Sequence, residues 1–427
     1  MMKFQSRWSR RHFLSSVAGT GAAMMLNPLA AWTIDEVDPR VAKIVAATIG
    51  VDTHNHIDVP LIAEEVPGPN IDLADEMKRS GLSAICMTFA LDYQKLSNPG
   101  ESYDRFKNGL TSMDQQLVHN GMKRSLNMAD LRAAHKKRQP TVIQSIEGAH
   151  FLEGHPERIG EAYDRGLRHF GLLHDSDASV PLGDVYTNPA QWGGLTPFGE
   201  DVIKECNRLG ILVDLAHASA ETVIAALKVA AHPVIVSHTG LDTRLGQNPS
   251  MARMMRPRLI SKEQAQVVAG AGGVIGVWTH LADSPLEYAQ NIRALVDVIG
   301  IDHVGIGTDT KLTPGNRPRG GNGPRPGGDS SNRQDGHPQG NSPDGPPRDD
   351  AHNGPGGSGP GGPGGPGGGQ NGVRIGERTN LAWQDQKVGF YYAVVDAMLK
   401  TGFTADEIGK VGGGNFCRVF DAATAGH

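Results

Sequence analysis

The stretch VDTHNHID, from Val51 to Asp58, places two histidines two positions apart, directly after an apolar run. Alternate residues of a β-strand point to the same face, so His54 and His56 can reach one metal ion together if this stretch ends a strand. A histidine pair of this kind is also compatible with a hydrogen-bonded structural role. The rest of the sequence decides between these two interpretations.

Further segments that are apolar and rich in β-branched residues follow at intervals, with helical patterns between them. Strands of this kind are typical of a parallel sheet that is covered on both faces. No glycine-rich phosphate loop follows the first strand, so an α/β fold of the (β/α)8 (TIM-type) barrel class is favoured over an open doubly wound sheet. The eight predicted strands are residues 48–54, 83–90, 141–147, 168–174, 211–217, 233–238, 273–278 and 302–309.

Capping residues mark the helices between these strands. Thr196 as N-cap, Pro197 in the first turn and Gly210 as the stop predict a helix that precedes the fifth strand. Ser219 and Thr404 are predicted to begin two further helices in the same way.

Six of the eight predicted strands end in side chains that bind metals or transfer protons. In a (β/α)8 barrel these ends converge on one face, where the active site lies. Any one of these residues alone is more often structural, so the prediction of a metal site rests on their combination. Imidazole and carboxylate ligands without thiolate suit Zn²⁺ or a similar ion at a catalytic site with an open position. The residues are His54, His56, Glu147, His174, His217, His238 and Asp309.

Composition excludes several other classes of protein. With 427 residues the chain can form one large domain or two. A net charge of −5 and a pI near 6.4 give no electrostatic reason to expect nucleic-acid binding. Cys86, Cys206 and Cys417 are too few and too scattered for a disulfide framework or a thiolate zinc site.

Residues 1–31 are interpreted as an export signal. The motif SRRHFLSS, residues 9–16, pairs two arginines ahead of a weakly apolar stretch and resembles a twin-arginine signal, with cleavage expected near Ala30 or Ala31. The apolar stretch is too short for a transmembrane anchor. An ordinary basic N-terminus is the alternative. Export would place the mature protein in the periplasm or otherwise outside the cytoplasm.

A second segment, residues 314–372, consists mainly of Gly, Pro, Asn, Asp and Arg and has almost no aliphatic residues. It cannot bury enough apolar surface to offset chain entropy, so we predict a disordered insertion. Its glycines keep no sustained period of three, which argues against collagen. A cover over the site, a tether and neutral filler are the possible roles, and filler is favoured because long loops cost little. The barrel would then comprise residues 32–313 and 373–427.

Several motifs together resemble the membrane (renal) dipeptidase family of the amidohydrolase superfamily. The resemblance extends from Val51 to Phe420, interrupted by the insertion, and the run from Gly194 to Ser219 is its most specific part. The motifs are DTHNH, SIEGAHFLEG, GLLHDSD, GLTPFGEDVIKECNRLGILVDLAHAS, PVIVSHTG, DHVGIGTD and GGGNFCRVF.

The resemblance implies a binuclear zinc site with about two Zn²⁺ per chain. His54 and His56 would bind one ion, His217 and His238 the other, and Glu147 would bridge the two. The division of the ligands between two ions follows from the family pattern.

The resemblance also implies catalytic and substrate-binding roles. Asp309, which is also counted among the metal-site residues, would accept the proton of a metal-bound hydroxide and pass it to the leaving amine. His174 would contact the substrate and stabilise the oxyanion. Arg258 would bind the substrate carboxylate, with Arg253 and Arg256 as alternatives.

Two positions depart from the family pattern. His56 stands where the family usually has Asp, which makes the metal centre more positive and predicts weaker retention of one ion. Lys311 stands where a second acid is common, which reverses a charge near the mouth of the site.

These features predict an exported, zinc-dependent dipeptidase acting on small L-L and L-D dipeptides. A homodimer is compatible with this prediction, whereas nucleic-acid partners are not expected. The alternatives are a related amidohydrolase, acting as an N-acyl-amino-acid deacylase or lactonase, and a non-catalytic metal-containing binding protein.

Overall fold

Eight parallel strands close into a barrel in the computed structural model, which describes residues 37–93, 95–315 and 376–427. Each strand pairs with the next along the chain, and β1 pairs with both β2 and β8, which closes the ring. A short ninth strand adds to β1 at Asn55 and His56. The strands are β1 Val51–His56, β2 Ala84–Thr88, β3 Thr141–Glu147, β4 Leu167–Gly171, β5 Leu212–Asp214, β6 Ile235–Thr239, β7 Val274–Val277, β8 Val304–Ile306 and β9 Thr310–Lys311.

Helices surround the barrel and confirm the predicted alternation with strands. Most of them pack an apolar face against the outside of the ring, so the main core fills the space between the two layers. In the described parts of the chain they are α1 Pro39–Ala47, α2 Leu73–Ser80, α3 Glu101–His119, α4 Met128–Lys136, α5 Arg158–Asp164, α6 Pro197–Leu209, α7 Ala220–Val229, α8 Pro249–Met255, α9 Lys262–Gly270, α10 Pro285–Ile299, α11 Phe390–Lys400, α12 Ala405–Gly409 and α13 Asn415–Thr424.

The predicted helix caps are confirmed. The side chain of Thr196 accepts a hydrogen bond from Gly199 N, Pro197 begins α6, and Gly210 ends it in the left-handed conformation. Ser219 caps α7 and Thr404 caps α12 with the same type of bond.

The strand bounds differ from prediction where the chain leaves the barrel wall. β4 ends at Gly171 and β5 at Asp214, three residues before His174 and His217 respectively. After Asp214 the chain makes a turn closed by a hydrogen bond from Ala218 N to Leu215 O. These two histidines therefore lie on loops above the barrel rather than on strands.

Helix α13 closes the floor of the barrel. Phe416 and Phe420 stack with ring centroids 5.6 Å apart and pack among the inward-facing apolar residues of the strands, such as Val51 and Ile235. Because this end is filled by side chains, a ligand can enter only from the opposite, carboxyl end of the strands.

The two chain segments that flank residues 316–375 lie side by side. Lys311 N donates to Glu377 O over 3.0 Å, and the Arg378 guanidinium donates to Leu312 O over 2.7 Å. The predicted export signal and residues 316–372 of the predicted insertion lie outside the described residues. Among the helices that the structure describes, none has the length and apolar character that crossing a bilayer requires.

Candidate metal centre

Two pairs of histidines face one another at the carboxyl end of the barrel. The Nε2 atoms of His54 and His56 lie 3.2 Å apart, and those of His217 and His238 lie 3.0 Å apart. β1 supplies the first pair, the loop after β5 supplies His217, and β6 supplies His238. The structure thus brings together four ring nitrogens from three separate parts of the sequence.

Glu147, the last residue of β3, lies between the two pairs. Its Oε1 is 3.3 Å from His54 Nε2 and 3.0 Å from His217 Nε2. The same oxygen is 3.6 Å from His238 Nε2, and Oε2 is 3.6 Å from His56 Nε2. The four imidazoles and this carboxylate therefore form one cluster, as a bridging arrangement requires.

The donor set of this cluster fits divalent metal ions. Glu147 Oε2 is buried and has no hydrogen-bond partner in the described structure, which is costly for a carboxylate unless a cation satisfies it. The far ring nitrogens are held, since His238 Nδ1 lies 2.9 Å from Ser237 Oγ and His217 Nδ1 lies 3.1 Å from Asp175. Such outer hydrogen bonds orient metal-binding histidines with Nε2 toward the ion.

Electrostatics keep the carboxylates of the site ionised. Burial alone would raise the pKa of Glu147, but the histidines around it outweigh burial and hold the pKa well below its usual value. Burial likewise opposes charge on Asp309, and His238, His280 and His56 together lower its pKa well below the usual value. Burial and neighbouring imidazoles lower the pKa of His54, which favours its neutral, metal-binding form.

Asp309 lies at the edge of the cluster, just after β8. Its Oδ1 is 3.2 Å from His56 Nε2 and 3.8 Å from His54 Nε2, and its Oδ2 is 2.8 Å from His280 Nε2. The side chain is 22% exposed, whereas that of Glu147 is 3% exposed. Asp309 can therefore meet both the metal site and a molecule that enters from solvent.

His174 faces the cluster from the loop after β4. Its Nε2 lies 3.4 Å from Glu147 Oε2, and its Nδ1 lies 2.6 Å from the carboxylate of Asp92. Burial raises the pKa of Asp92, but its hydrogen bond with His174 lowers that pKa to about 2. Asp92 thus fixes the imidazole with Nε2 directed into the site.

Arg258 lies beside the second histidine pair. Its Nη2 is 2.6 Å from Asp175 Oδ2, and Asp175 Oδ1 in turn contacts His217 Nδ1. The guanidinium has five N–H donors, and its contacts with Asp175 and Met254 O leave others for a ligand. Arg253 and Arg256 are exposed, so Arg258 has the best position among the three arginines considered from the sequence.

His217 and Asp309 have φ values of 67° and 55°, in the left-handed region. Non-glycine residues adopt this conformation at a cost in energy, and such residues cluster at functional sites. At both positions the turn of the chain directs the side chain back over the end of the barrel. The backbone conformation thus contributes to the assembly of the site.

The sequence analysis assigned no site residue to the second and seventh predicted strands, and it missed one residue of the site after each. Asp92 follows the second predicted strand by two residues, and His280 follows the seventh by two. A polar side chain two positions beyond a predicted strand end is the sequence signal that both residues share. Asp175 directly follows His174, and no signal in the sequence indicates that it joins His217 to Arg258.

The two departures from the family pattern have structural partners. His56 Nε2 lies 3.2 Å from both His54 Nε2 and Asp309 Oδ1. The imidazole can therefore serve as a metal ligand at the position where the family usually has an aspartate. Lys311 Nζ lies 2.7 Å from Asp58 Oδ2. The charge reversal at residue 311 is therefore neutralised locally.

Two cavities of about 370 Å³ each flank the cluster. One is lined by His56 and Tyr93, together with apolar residues and four charged side chains. The other is lined by His217, His238 and Arg258. A short ligand that spans both cavities would pass over the metal cluster.

A parallel eight-stranded barrel with imidazoles and carboxylates gathered at its carboxyl rim defines the class of amidohydrolase-type barrels. The family model described as membrane dipeptidase (peptidase family M19) matches residues 39–318. The chain belongs to this family, whose members are metal-dependent peptidases.

Individual relatives agree with this assignment. Over 100 residues the chain is 38% identical to an uncharacterised dipeptidase of Schizosaccharomyces pombe, covering 23% of this chain and 24% of the relative. It is 31% identical over 171 residues to the dipeptidase verJ of Clonostachys rogersoniana, covering 38% and 41%. The matches thus span less than half of each of these curated relatives. The crystal structure of an amidohydrolase from Pseudomonas aeruginosa has the same fold, with a TM-score of 0.61 at 19% identity over 90% of this chain and 98% of that one.

Proposed function

We propose that this protein is an exported, zinc-dependent dipeptidase that hydrolyses L-L and L-D dipeptides. The observation that carries the proposal is the position of Glu147, whose oxygens lie 3.0–3.6 Å from Nε2 of His54, His56, His217 and His238. One carboxylate between two imidazole pairs suits a pair of divalent ions, and we propose about two Zn²⁺ per chain.

The chemistry follows from the residues around the metal site. Bound zinc supplies an activated water and polarises the carbonyl of the peptide bond. Asp309 has an ionised, partly exposed carboxylate that can accept the proton of the attacking water and return it to the leaving amine. His174, held by Asp92, can stabilise the negative charge that develops on the carbonyl oxygen.

The first experiment measures hydrolysis by zinc-loaded protein of a panel of L-L and L-D dipeptides. We expect turnover that is lost on chelation and restored by Zn²⁺, because the buried cluster has no other source of an activated water. A dipeptide amide, which lacks the terminal carboxylate, is the matched substrate control and should be hydrolysed much more slowly. Purified protein with neither bound metal nor hydrolase activity would instead favour the binding protein.

A second prediction concerns the carboxylate anchor. We expect Arg258→Ala to raise KM for dipeptides by about tenfold to a hundredfold, since a charge-assisted hydrogen bond contributes roughly 1.5–3 kcal/mol. Steady-state kinetics with the exposed Arg256→Ala as control would check this. If Arg256→Ala has the larger effect, the anchor is Arg256.

The same variant separates the proposal from its nearest alternative. A deacylase or lactonase with the same metals has less need of an arginine that binds a C-terminal carboxylate. If Arg258→Ala leaves dipeptide turnover unchanged while the wild-type protein prefers esters or lactones, the alternative amidohydrolase is correct.

Export and a homodimeric state stay predictions, which cell fractionation and light scattering would test.

A further inference from the structure

We infer that the cavity beside His56 binds the side chain of the N-terminal residue of the dipeptide, and that it selects bulky apolar side chains over small or acidic ones. The inference rests on the proposed function and names its substrate class. The cavity is bounded by His56, Asp58, Leu61, Phe89, Tyr93 and Lys311, among others.

The direction in which a dipeptide lies across the site assigns this cavity. Arg258, the proposed carboxylate anchor, lines the cavity on the side of His217 and His238. A substrate anchored there crosses the metal cluster at its peptide bond. The residue that carries the carbonyl must then extend past the cluster toward His56 and into the other cavity.

Tyr93 lies where the cluster meets this cavity. Its hydroxyl is 3.4 Å from His56 Nε2, and its ring centroid is 5.5 Å from that of His174. A side chain next to the reacting carbonyl would therefore pass along the ring of Tyr93 as it enters the cavity.

The wall of the cavity is apolar and well supported. Phe89 is buried and packs against Phe106 with ring centroids 6.2 Å apart, and Phe106 stacks on Phe151 at 4.1 Å. A wall of stacked rings keeps its shape, so it favours a side chain that fills the space. A volume of about 370 Å³ leaves room for a large aliphatic or aromatic side chain.

The charged groups of the lining disfavour acidic substrates. Asp58 and Lys311 form an ion pair at 2.7 Å, and Arg105 donates to Leu91 O and pairs with Glu101. Glu65 is the remaining ionisable acid of the lining, and it forms no ion pair with any residue that the structure describes. An acidic side chain would meet this carboxylate without a matching cation.

A variant behind the wall tests the inference without substituting any residue of the lining. Gly109 on α3 faces the wall, and an added methyl group would lie 2.5 Å from Phe89 Cε2 and 2.9 Å from Leu61 Cδ2. Gly109→Ala must therefore displace both side chains toward the cavity. Gly160 on α5 has open space at the same position, so Gly160→Ala is the matched control for a helical glycine.

The experiment compares kcat/KM of zinc-loaded protein for Phe-Gly, Leu-Gly, Gly-Gly and Glu-Gly. For the wild type we expect Phe-Gly and Leu-Gly to exceed Gly-Gly by at least about tenfold, as apolar pockets commonly discriminate, and Glu-Gly to be the poorest. Gly109→Ala should lower the ratio of Phe-Gly to Gly-Gly severalfold, and Gly160→Ala should leave the ratio unchanged.

The outcomes separate failure of the inference from failure of the proposed function. If the wild type hydrolyses no dipeptide, the proposed function is wrong. If it hydrolyses Gly-Gly as well as Phe-Gly, or if Gly109→Ala lowers both equally, the cavity does not bind this side chain. Should Gly109→Ala fail to fold, Leu61→Ala replaces it, with the ratio of Trp-Gly to Leu-Gly expected to rise and an unchanged ratio overturning the inference.

Discussion

Replacement of Glu147 by glutamine is expected to remove most of the bound metal and to abolish measurable hydrolysis. Among the residues that the structure describes, Glu147 alone has a carboxylate within 3.6 Å of a ring nitrogen in both histidine pairs. The amide keeps the volume of the side chain but removes the negative charge. Loss of several kcal/mol of metal-derived stabilisation corresponds to a loss of at least about a thousandfold in kcat/KM.

Metal content by mass spectrometry and dipeptide turnover, measured on the same preparation, would check this expectation. Glu200→Gln, on the exposed face of α6, is the matched control and should retain full metal and activity. A Glu147→Gln variant that retains wild-type metal content and turnover would rule out the bridging role.

Asp309→Asn is expected to lower kcat by about a hundredfold to ten-thousandfold, the usual contribution of a general acid–base residue. The amide keeps hydrogen-bonding capacity toward His56 and His280 but cannot accept a proton in the reaction. Because Arg258 is unaffected, KM should change little. Most of the metal should remain, since the two histidine pairs and Glu147 are intact.

Steady-state kinetics with parallel metal analysis would separate these two effects. Asp201→Asn, at an exposed position of α6, provides the control for an Asp-to-Asn change. A decrease of less than about tenfold in kcat would assign proton transfer to another group, and His280, at 2.8 Å from Asp309, would be the first to test.

The eight strands could be predicted because each is short, apolar and β-branched, so local sequence and burial favour the same conformation. The caps at Thr196, Ser219 and Thr404 could be predicted for the same reason, since an N-cap hydrogen bond joins residues only a few positions apart. The exact ends of β4 and β5 could not be predicted. These ends depend on the residue at which the polypeptide leaves the barrel wall. Neighbouring strands and loops determine that residue.

The gathering of the histidines, Glu147 and Asp309 could be predicted from the barrel, because its topology brings strand ends together. The contacts that orient these side chains could not be predicted. Asp92 binds His174 from 82 positions away, and Asp58 binds Lys311 from 253 positions away. Such pairs have no local pattern, since their partners meet only after the barrel has closed.

The backbone hydrogen bond from Lys311 to Glu377, together with the bond from the Arg378 guanidinium to Leu312 O, joins the two chain segments on either side of the glycine- and proline-rich stretch. Both ends of that stretch are fixed to each other, so the loop-closure cost of a longer connection is small, about 0.6 kcal/mol for each doubling of its length. This junction is therefore a natural point for evolution to add or remove sequence, and a suitable place to graft a reporter domain onto the protein.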